Sequence, residues 1–186
     1  MSSTIGVQNI SHTNGTNAMT VASDGNVAMA SGKTFSATGA VLKVYQHNLT
    51  TEVSQSTTTY KSSGLFLTIN PISSSSKFLI RFDAQGHNGT NNGFIVANVV
   101  YNPSSSTDGN TTLSGGTLLT TGNYGMASAY GGGATTVSSL SASILHSPNT
   151  ASAVTYMVGY KQHGGGIAYF AINSTYSSLT IMEIGG

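Results

Sequence analysis

Five carboxylates are the only acidic side chains in this sequence of 186 residues: Asp24, Glu52, Asp83, Asp108 and Glu183. Cleavage of a glycosidic bond needs two carboxyl groups at a set separation, one protonated and one ionised. Asp24 and Asp108 stand among turn formers, in Ser23-Asp24-Gly25-Asn26 and Asp108-Gly109-Asn110, and are poor candidates. Asp83 and Glu183 fall in stretches of strand-like alternation, on partly apolar faces where a charge requires a partner. The one arginine, Arg81, shares the Asp83 face. The expectation is therefore a structural ion pair of Arg81 with Asp83 or Glu183, within the chain or across a subunit boundary, and not a catalytic dyad. Removing one member of such a pair, if buried, would cost ~3–5 kcal/mol.

The five histidines, His12, His47, His87, His146 and His163, show neither H-x-H nor H-E-x-x-H spacing. One chain thus lacks a recognisable zinc set, although a single histidine repeated about a three-fold axis would supply three ligands. Cysteine is absent, which removes disulfides and thiolate sites. No G-x-S-x-G elbow and no glycine-rich phosphate loop occur. Arg81, Asp83 and His87 beside a serine imitate a triad, but serine is so common here that the coincidence has little weight. No catalytic residue, metal or cofactor is expected. Among nine tyrosines, Tyr156, Tyr160 and Tyr169 follow strand alternation and read as core or interface. Tyr124 and Tyr130 lie in the glycine-rich stretch Pro103–Gly133 and are the candidates for surface binding, where a ring can stack on a sugar.

These side chains need a scaffold, and composition restricts it. Charged residues make up 6% of the chain, for a formal net charge of +1. Six scattered cations cannot form the clustered basic surface that nucleic acid requires. No run approaches the ~20 apolar residues of a membrane span, so no membrane insertion is expected. Met1–Thr4 has neither basic nor apolar signal-peptide character. Ser, Thr, Gly and Asn together account for 91 residues, and solubility rests on neutral polar groups. Six Asn-x-Ser/Thr sequons, at Asn9, Asn14, Asn48, Asn88, Asn110 and Asn173, read as a consequence of that composition.

Period-two alternation recurs in Val41–Leu49, Leu65–Ile69, Lys77–Gln85, Phe94–Tyr101, Val137–Leu145, Val154–Lys161, Ile167–Ile172 and Leu179–Ile184. Clusters of Gly, Asn and Ser separate these segments. Eight or more short strands predict an all-β, antiparallel β-sandwich of jelly-roll type over residues 41–186. Residues 1–40 have small, sparse apolar side chains and turn signals at Ser23–Asn26 and Ser31–Lys33. They read as an extended N-terminal β-rich arm that cannot bury a core alone and must lie on another surface. Phe94–Tyr101 and Ile167–Ile172 are apolar on both faces. One face fills the sandwich; the other predicts an exposed patch that self-association would bury, unless loops of the same chain cover it.

Local phrases add a resemblance. Thr4-Ile5-Gly6-Val7-Gln8-Asn9-Ile10-Ser11 through Val21, then Ser23-Asp24-Gly25-Asn26-Val27, resembles the N-terminal segment of fibre-type virion proteins of tailed bacteriophages, marine phages especially. Gly64-Leu65-Phe66-Leu67-Thr68-Ile69-Asn70-Pro71, Ser147-Pro148-Asn149-Thr150 and Leu179-Thr180-Ile181-Met182-Glu183-Ile184 resemble the head domain of the same group. The resemblance implies a homotrimeric C1q- or TNF-like head on a thin arm, in a virion component made in the host cytoplasm. It implies a non-enzymatic fibre or spike whose head binds the host surface, with a glycan there as a candidate receptor, and whose residues 1–40 dock on other virion proteins of the tail or capsid. The alternative is a trimeric capsid-decoration or head-fibre protein held to the shell by the same arm.

Overall fold

A computed structural model of the protein describes residues 8–31, 38–90, 92–131, 136–172 and 175–186. The turn expected at Ser31–Lys33, most of Gly131–Gly133 and the sequon at Asn173 fall outside these residues. The chain divides into two compact units, residues 1–37 and 38–186.

In the smaller unit, β1 (Asn9–Ser11), β2 (Asn17–Val21) and β3 (Val27–Met29) form an antiparallel meander. Asp24 closes the second hairpin. Its carboxylate accepts the Asn26 backbone N–H at 3.0 Å and the Asn26 amide at 2.7 Å, and the backbone bond foremost holds its pKa below the ordinary 3.8. Gly25 takes the left-handed φ of +84° that the turn demands. None of the described residues of this unit is buried. Three short strands without a buried face are marginal in water by themselves.

The larger unit holds β4 (Val41–Leu49), β5 (Val53–Gln55), β6 (Lys61–Ile69), β7 (Lys77–Asn88), β8 (Phe94–Tyr101), β9 (Thr117–Leu118), β10 (Ala127–Tyr130), β11 (Ser138–His146), β12 (Val154–His163), β13 (Ala168–Phe170) and β14 (Ser177–Ile184). All pairings are antiparallel. One sheet runs β10-β8-β12-β6, with β9 also on β8; the other runs β4-β14-β7-β13-β5, with β11 on the far side of β7. Thr38–Ala40, grouped with the arm on sequence grounds, belong to this unit. Gly39 donates to the Gly185 carbonyl at 2.7 Å, and Gly185 donates to that of Ala40 at 2.9 Å.

Alternation explains the core. Every second residue of β7 (Phe78, Ile80, Phe82), β8 (Ile95, Ala97, Val99), β12 (Tyr156, Val158, Tyr160) and β14 (Leu179, Ile181) faces the opposite sheet and is fully buried. The Tyr156 hydroxyl lies 2.9 Å from His146 Nδ1 and the Tyr160 hydroxyl donates to Asn110 Oδ1 at 2.9 Å, so both phenols reach the core rim for a partner.

The second apolar face is not left exposed. Val96, Asn98 and Val100, on the outward face of β8, are buried within the single chain. The segment 102–126 lies over them. Leu119 N–H donates to the Val99 carbonyl and Met126 N–H to that of Ala97, each at 2.9 Å. The Asn98 amide donates to the Thr120 carbonyl at 2.7 Å, and Leu118 pairs with Val100. In β13, Ala168 and Phe170 point into the core, whereas on the other face Tyr169 is half-buried and Ile167, just before the strand, is exposed. The expectation of an exposed apolar patch is thus corrected for β8, where the chain's own long loop supplies the cover.

Candidate functional site

Where the covering segment ends, the outward face of β8 begins with a ring cluster. Phe94 is flanked in register by Tyr130 on β10 and by His163 on β12. Its ring centroid lies 4.9 Å from that of Tyr130, 5.1 Å from that of Tyr124 and 6.1 Å from that of His163; Tyr124 and His163 are 5.3 Å apart. Tyr124 and Tyr130 are each about half exposed. The two tyrosines singled out in the sequence therefore meet, through Phe94, in one patch. Phe94 and His163 carried no signal of their own, because each closes the end of an alternating run and looks like one more strand residue.

The patch is held from behind. Gly125, at φ +61°, turns the chain so that Tyr124 precedes a residue bonded to the β8 edge. The Tyr130 hydroxyl donates to Asn92 Oδ1 at 3.0 Å. Asn88, fully buried, donates through its amide to the carbonyls of Phe94 and Gly165, both at 3.0 Å, and accepts from the Thr90 N–H and hydroxyl through Oδ1. The Gln162 side chain accepts Gly165 N–H at 2.8 Å. One buried amide thus ties the loop after β7, the start of β8 and the turn after β12 together behind the rings. Its sequon is a structural hub. Exposed rings on so fixed a backbone lose little entropy on contact, and they offer flat apolar faces with hydroxyls at the edge.

The charged residues take other places. Arg81 and Asp83 form a bidentate pair, Nε to Oδ2 at 2.7 Å and Nη2 to Oδ1 at 3.0 Å, on the outward face of β7. Ser141 of β11 donates to the same carboxylate at 2.6 Å. The Arg81 hydrogen bonds foremost hold Asp83 below the usual carboxylate range. The side chains are 62% and 43% exposed, which corrects the cost expected for a buried pair: solvent screens this one.

Glu183 is not part of the pair. It lies opposite Phe78 on β14, on the face of Leu179 and Ile181, and is fully buried. It accepts the Ile72 N–H at 2.6 Å and the Tyr45 hydroxyl at 3.1 Å. Burial, then the hydrogen bond and charge of Glu183, push the Tyr45 phenol up to about 12. Asp83 and Glu183 occupy opposite faces of one sheet, so they do not form the carboxyl pair that glycoside hydrolysis uses. Among the described residues, no three His, Asp or Glu side chains cluster as metal ligands, and no helix is long and apolar enough to cross a membrane.

No protein-family model matches the chain, and no curated protein matches it. Among solved structures, a chain from the infectious bursal disease virus Gx strain aligns at 11% identity and a TM-score of 0.42, over 77% of this chain and 32% of its own length. One from the Gt strain of that virus aligns at 11% identity and a TM-score of 0.31, over 89% and 44%. The present chain spans less than half of either. The alignments assign no function to it.

Proposed function

We propose that the protein is a non-enzymatic structural component of a virion, a fibre- or spike-type appendage of a tailed phage whose sandwich unit attaches to the host surface through the patch of Phe94, Tyr124, Tyr130 and His163. The observation that carries this reading is the cluster itself: rings half exposed to solvent on a backbone locked by Asn88. A chain with 6% charged residues has few other means of gripping a surface. The smaller unit, residues 1–37, whose described strands bury no side chain, is the segment that docks on other virion proteins. The phage assignment and the three-fold state come from the sequence resemblance.

A homotrimer needs a contact surface, and the outward face of the six-stranded sheet supplies one. Val44, Met182, Leu79 and Leu145 stand in one cross-strand row over β4, β14, β7 and β11. Val44 and Leu145 are each more than half exposed.

The test uses purified full-length protein and host cells. Wild type is expected to bind cells and compete with virions for them, and Tyr124→Ala and Tyr130→Ala to lose most of that competition while melting normally. Unchanged competition by both variants would remove the patch from the proposal. Antibody fragments imaged on intact particles then place the protein: label on a tail appendage fits the fibre, and label spread over the shell makes it a capsid-decoration protein.

A further inference from the structure

We infer that Asn14, in the turn between β1 and β2, is a site of spontaneous deamidation, and that the fold selects it over the two other Asn–Gly pairs of the chain, Asn88–Gly89 and Asn92–Gly93. The inference goes beyond the attachment reading and does not depend on it. In the reaction the Gly15 backbone nitrogen gives its proton to water or hydroxide and attacks Asn14 Cγ. A C–N bond forms, the Cγ–Nδ2 bond breaks, and Nδ2 leaves as ammonia with a proton from water. Water then opens the five-membered imide at either carbonyl, to aspartate or to isoaspartate. Nothing is oxidised or reduced, and water is the only co-reactant. Glycine favours the first step because no side chain hinders its nitrogen.

What separates the three sites is whether that nitrogen and the asparagine side chain can meet. Asn88 is fully buried, and its amide is engaged by the carbonyls of Phe94 and Gly165 and by Thr90. The Gly89 N–H donates to the Ile167 carbonyl at 2.8 Å. Asn92 is exposed, but its Oδ1 accepts the Tyr130 hydroxyl at 3.0 Å. Gly93 is buried, and its carbonyl accepts the Gly131 N–H at 2.8 Å. A methyl group added to Gly93 would collide with Asn88 Oδ1 and the Gly165 carbonyl, so this backbone has no room to swing into the ring geometry.

At Asn14 the restraints are local. The Gly15 N–H donates to the His12 carbonyl at 2.8 Å, and the Thr16 N–H to Asn14 Oδ1 at 3.0 Å. A methyl group added to Gly15 would meet nothing within 4 Å. Both hydrogen bonds stand in water, in a three-stranded unit of which no described residue is buried. Opening this turn therefore breaks none of the packing that guards Asn88 and Asn92. One event takes the formal net charge of the chain from +1 to zero. The His12 N–H donates to the Thr16 carbonyl at 2.9 Å across the turn. Isoaspartate puts an extra main-chain atom between these two residues and so weakens the β1–β2 hairpin.

The test incubates the full-length protein at neutral and at mildly alkaline pH, in buffer and in urea, and follows each site by peptide mapping with mass spectrometry. An isoaspartyl methyltransferase labels the isoaspartate product. In buffer, Asn14 is expected to convert ~10-fold or more faster than Asn88 and Asn92. Its rate should rise with pH, because the attacking nitrogen must lose a proton. In urea the three rates should converge, since the fold alone separates them. Asn14→Gln, which keeps an amide but forms the ring far more slowly, should lose the first acidic species seen on isoelectric focusing. An Asn14 that stays intact in buffer while it reacts in urea overturns the inference. So does an Asn88 or Asn92 that converts as fast as Asn14 in buffer, or a spread of rates that is the same in urea as in buffer.

Discussion

The two outward sheet faces of the larger unit solve the same problem in opposite ways. On the five-stranded sheet, β8 carries Val96 and Val100 outward, and the segment 102–126 buries them. What remains open there is a compact set of rings. On the six-stranded sheet Val44 and Leu145 stay more than half exposed, on a face of Ser, Thr and Gln that the Arg81–Asp83 pair also crosses. An apolar outward face thus does not by itself imply a partner, since a loop of sufficient length satisfies it within the chain. A partner for this protein is better sought where cover is missing.

The largest expected effect tests that conclusion. Val44→Lys with Leu145→Lys should leave the fold intact, because both positions are exposed, yet dissociate a trimer closed through their row. Light scattering of wild type should give three times the 19.0 kDa of one chain, and the double variant 19.0 kDa. A wild-type mass of 19.0 kDa at all concentrations would defeat the trimer. A trimeric double variant would place its interface elsewhere.

Next in size is Glu183→Ala, on the inward side of the six-stranded sheet. It strands the Ile72 N–H and the Tyr45 hydroxyl in a buried site, for a loss of ~3 kcal/mol and a Tm lower by ~6–12 °C. Glu183→Gln, which keeps an acceptor, should recover part of it. Thermal melts of the two variants separate the roles of charge and hydrogen bond, and an Ala variant as stable as wild type would show the acceptor to be dispensable.

Asn88→Ala should cost somewhat less, ~2 kcal/mol, since the carbonyls of Phe94 and Gly165 lie nearer to solvent-facing loops. Its distinctive effect is on the patch. Host-cell binding is expected to fall further for Asn88→Ala than for Glu183→Ala, although Glu183→Ala is the less stable protein. The reverse order would mean that binding follows global stability and that Asn88 does not position the rings.

Periodicity made the sandwich legible. β4 and β8 match their alternating runs end to end, and β7 and β12 merely extend past theirs into Gly86–Asn88 and Gln162–His163, where polar residues break the pattern. β5, β9 and β10 were not readable, because two to four residues are too few to show a period. Of the patch, the two tyrosines stood out as rings in a glycine-rich loop, whereas Phe94 and His163 are joined to them by register alone, which depends on the whole sheet. The face assignments of Arg81, Asp83 and Glu183 followed from parity. Which face was solvent did not: alternation separates two sides of a strand but does not say which is covered, and segment 102–126 lacks the pattern that would have announced it as a cover.

The smallest expected effect is at the Arg81–Asp83 pair, and it sharpens the contrast with Glu183. Both carboxylates are hydrogen bonded, but one is screened by water and the other is not. The pKa of Asp83 is depressed in the folded state, so its contribution is present above the unfolded value, near 3.8, and is lost as pH falls through the lower folded value. A double-mutant cycle of Arg81→Ala and Asp83→Ala in urea melts should give a small coupling at pH 7. It should fade as pH drops below 3.8 through the lower folded value, and shrink in ~1 M salt, where the screening length is ~3 Å. Ser141 donates to the same carboxylate, so Asp83→Ala alone should cost more than Arg81→Ala alone. A coupling that survives both acid and salt would mean that the pair is shielded from solvent, as it would be if a second copy of the chain lay over this face.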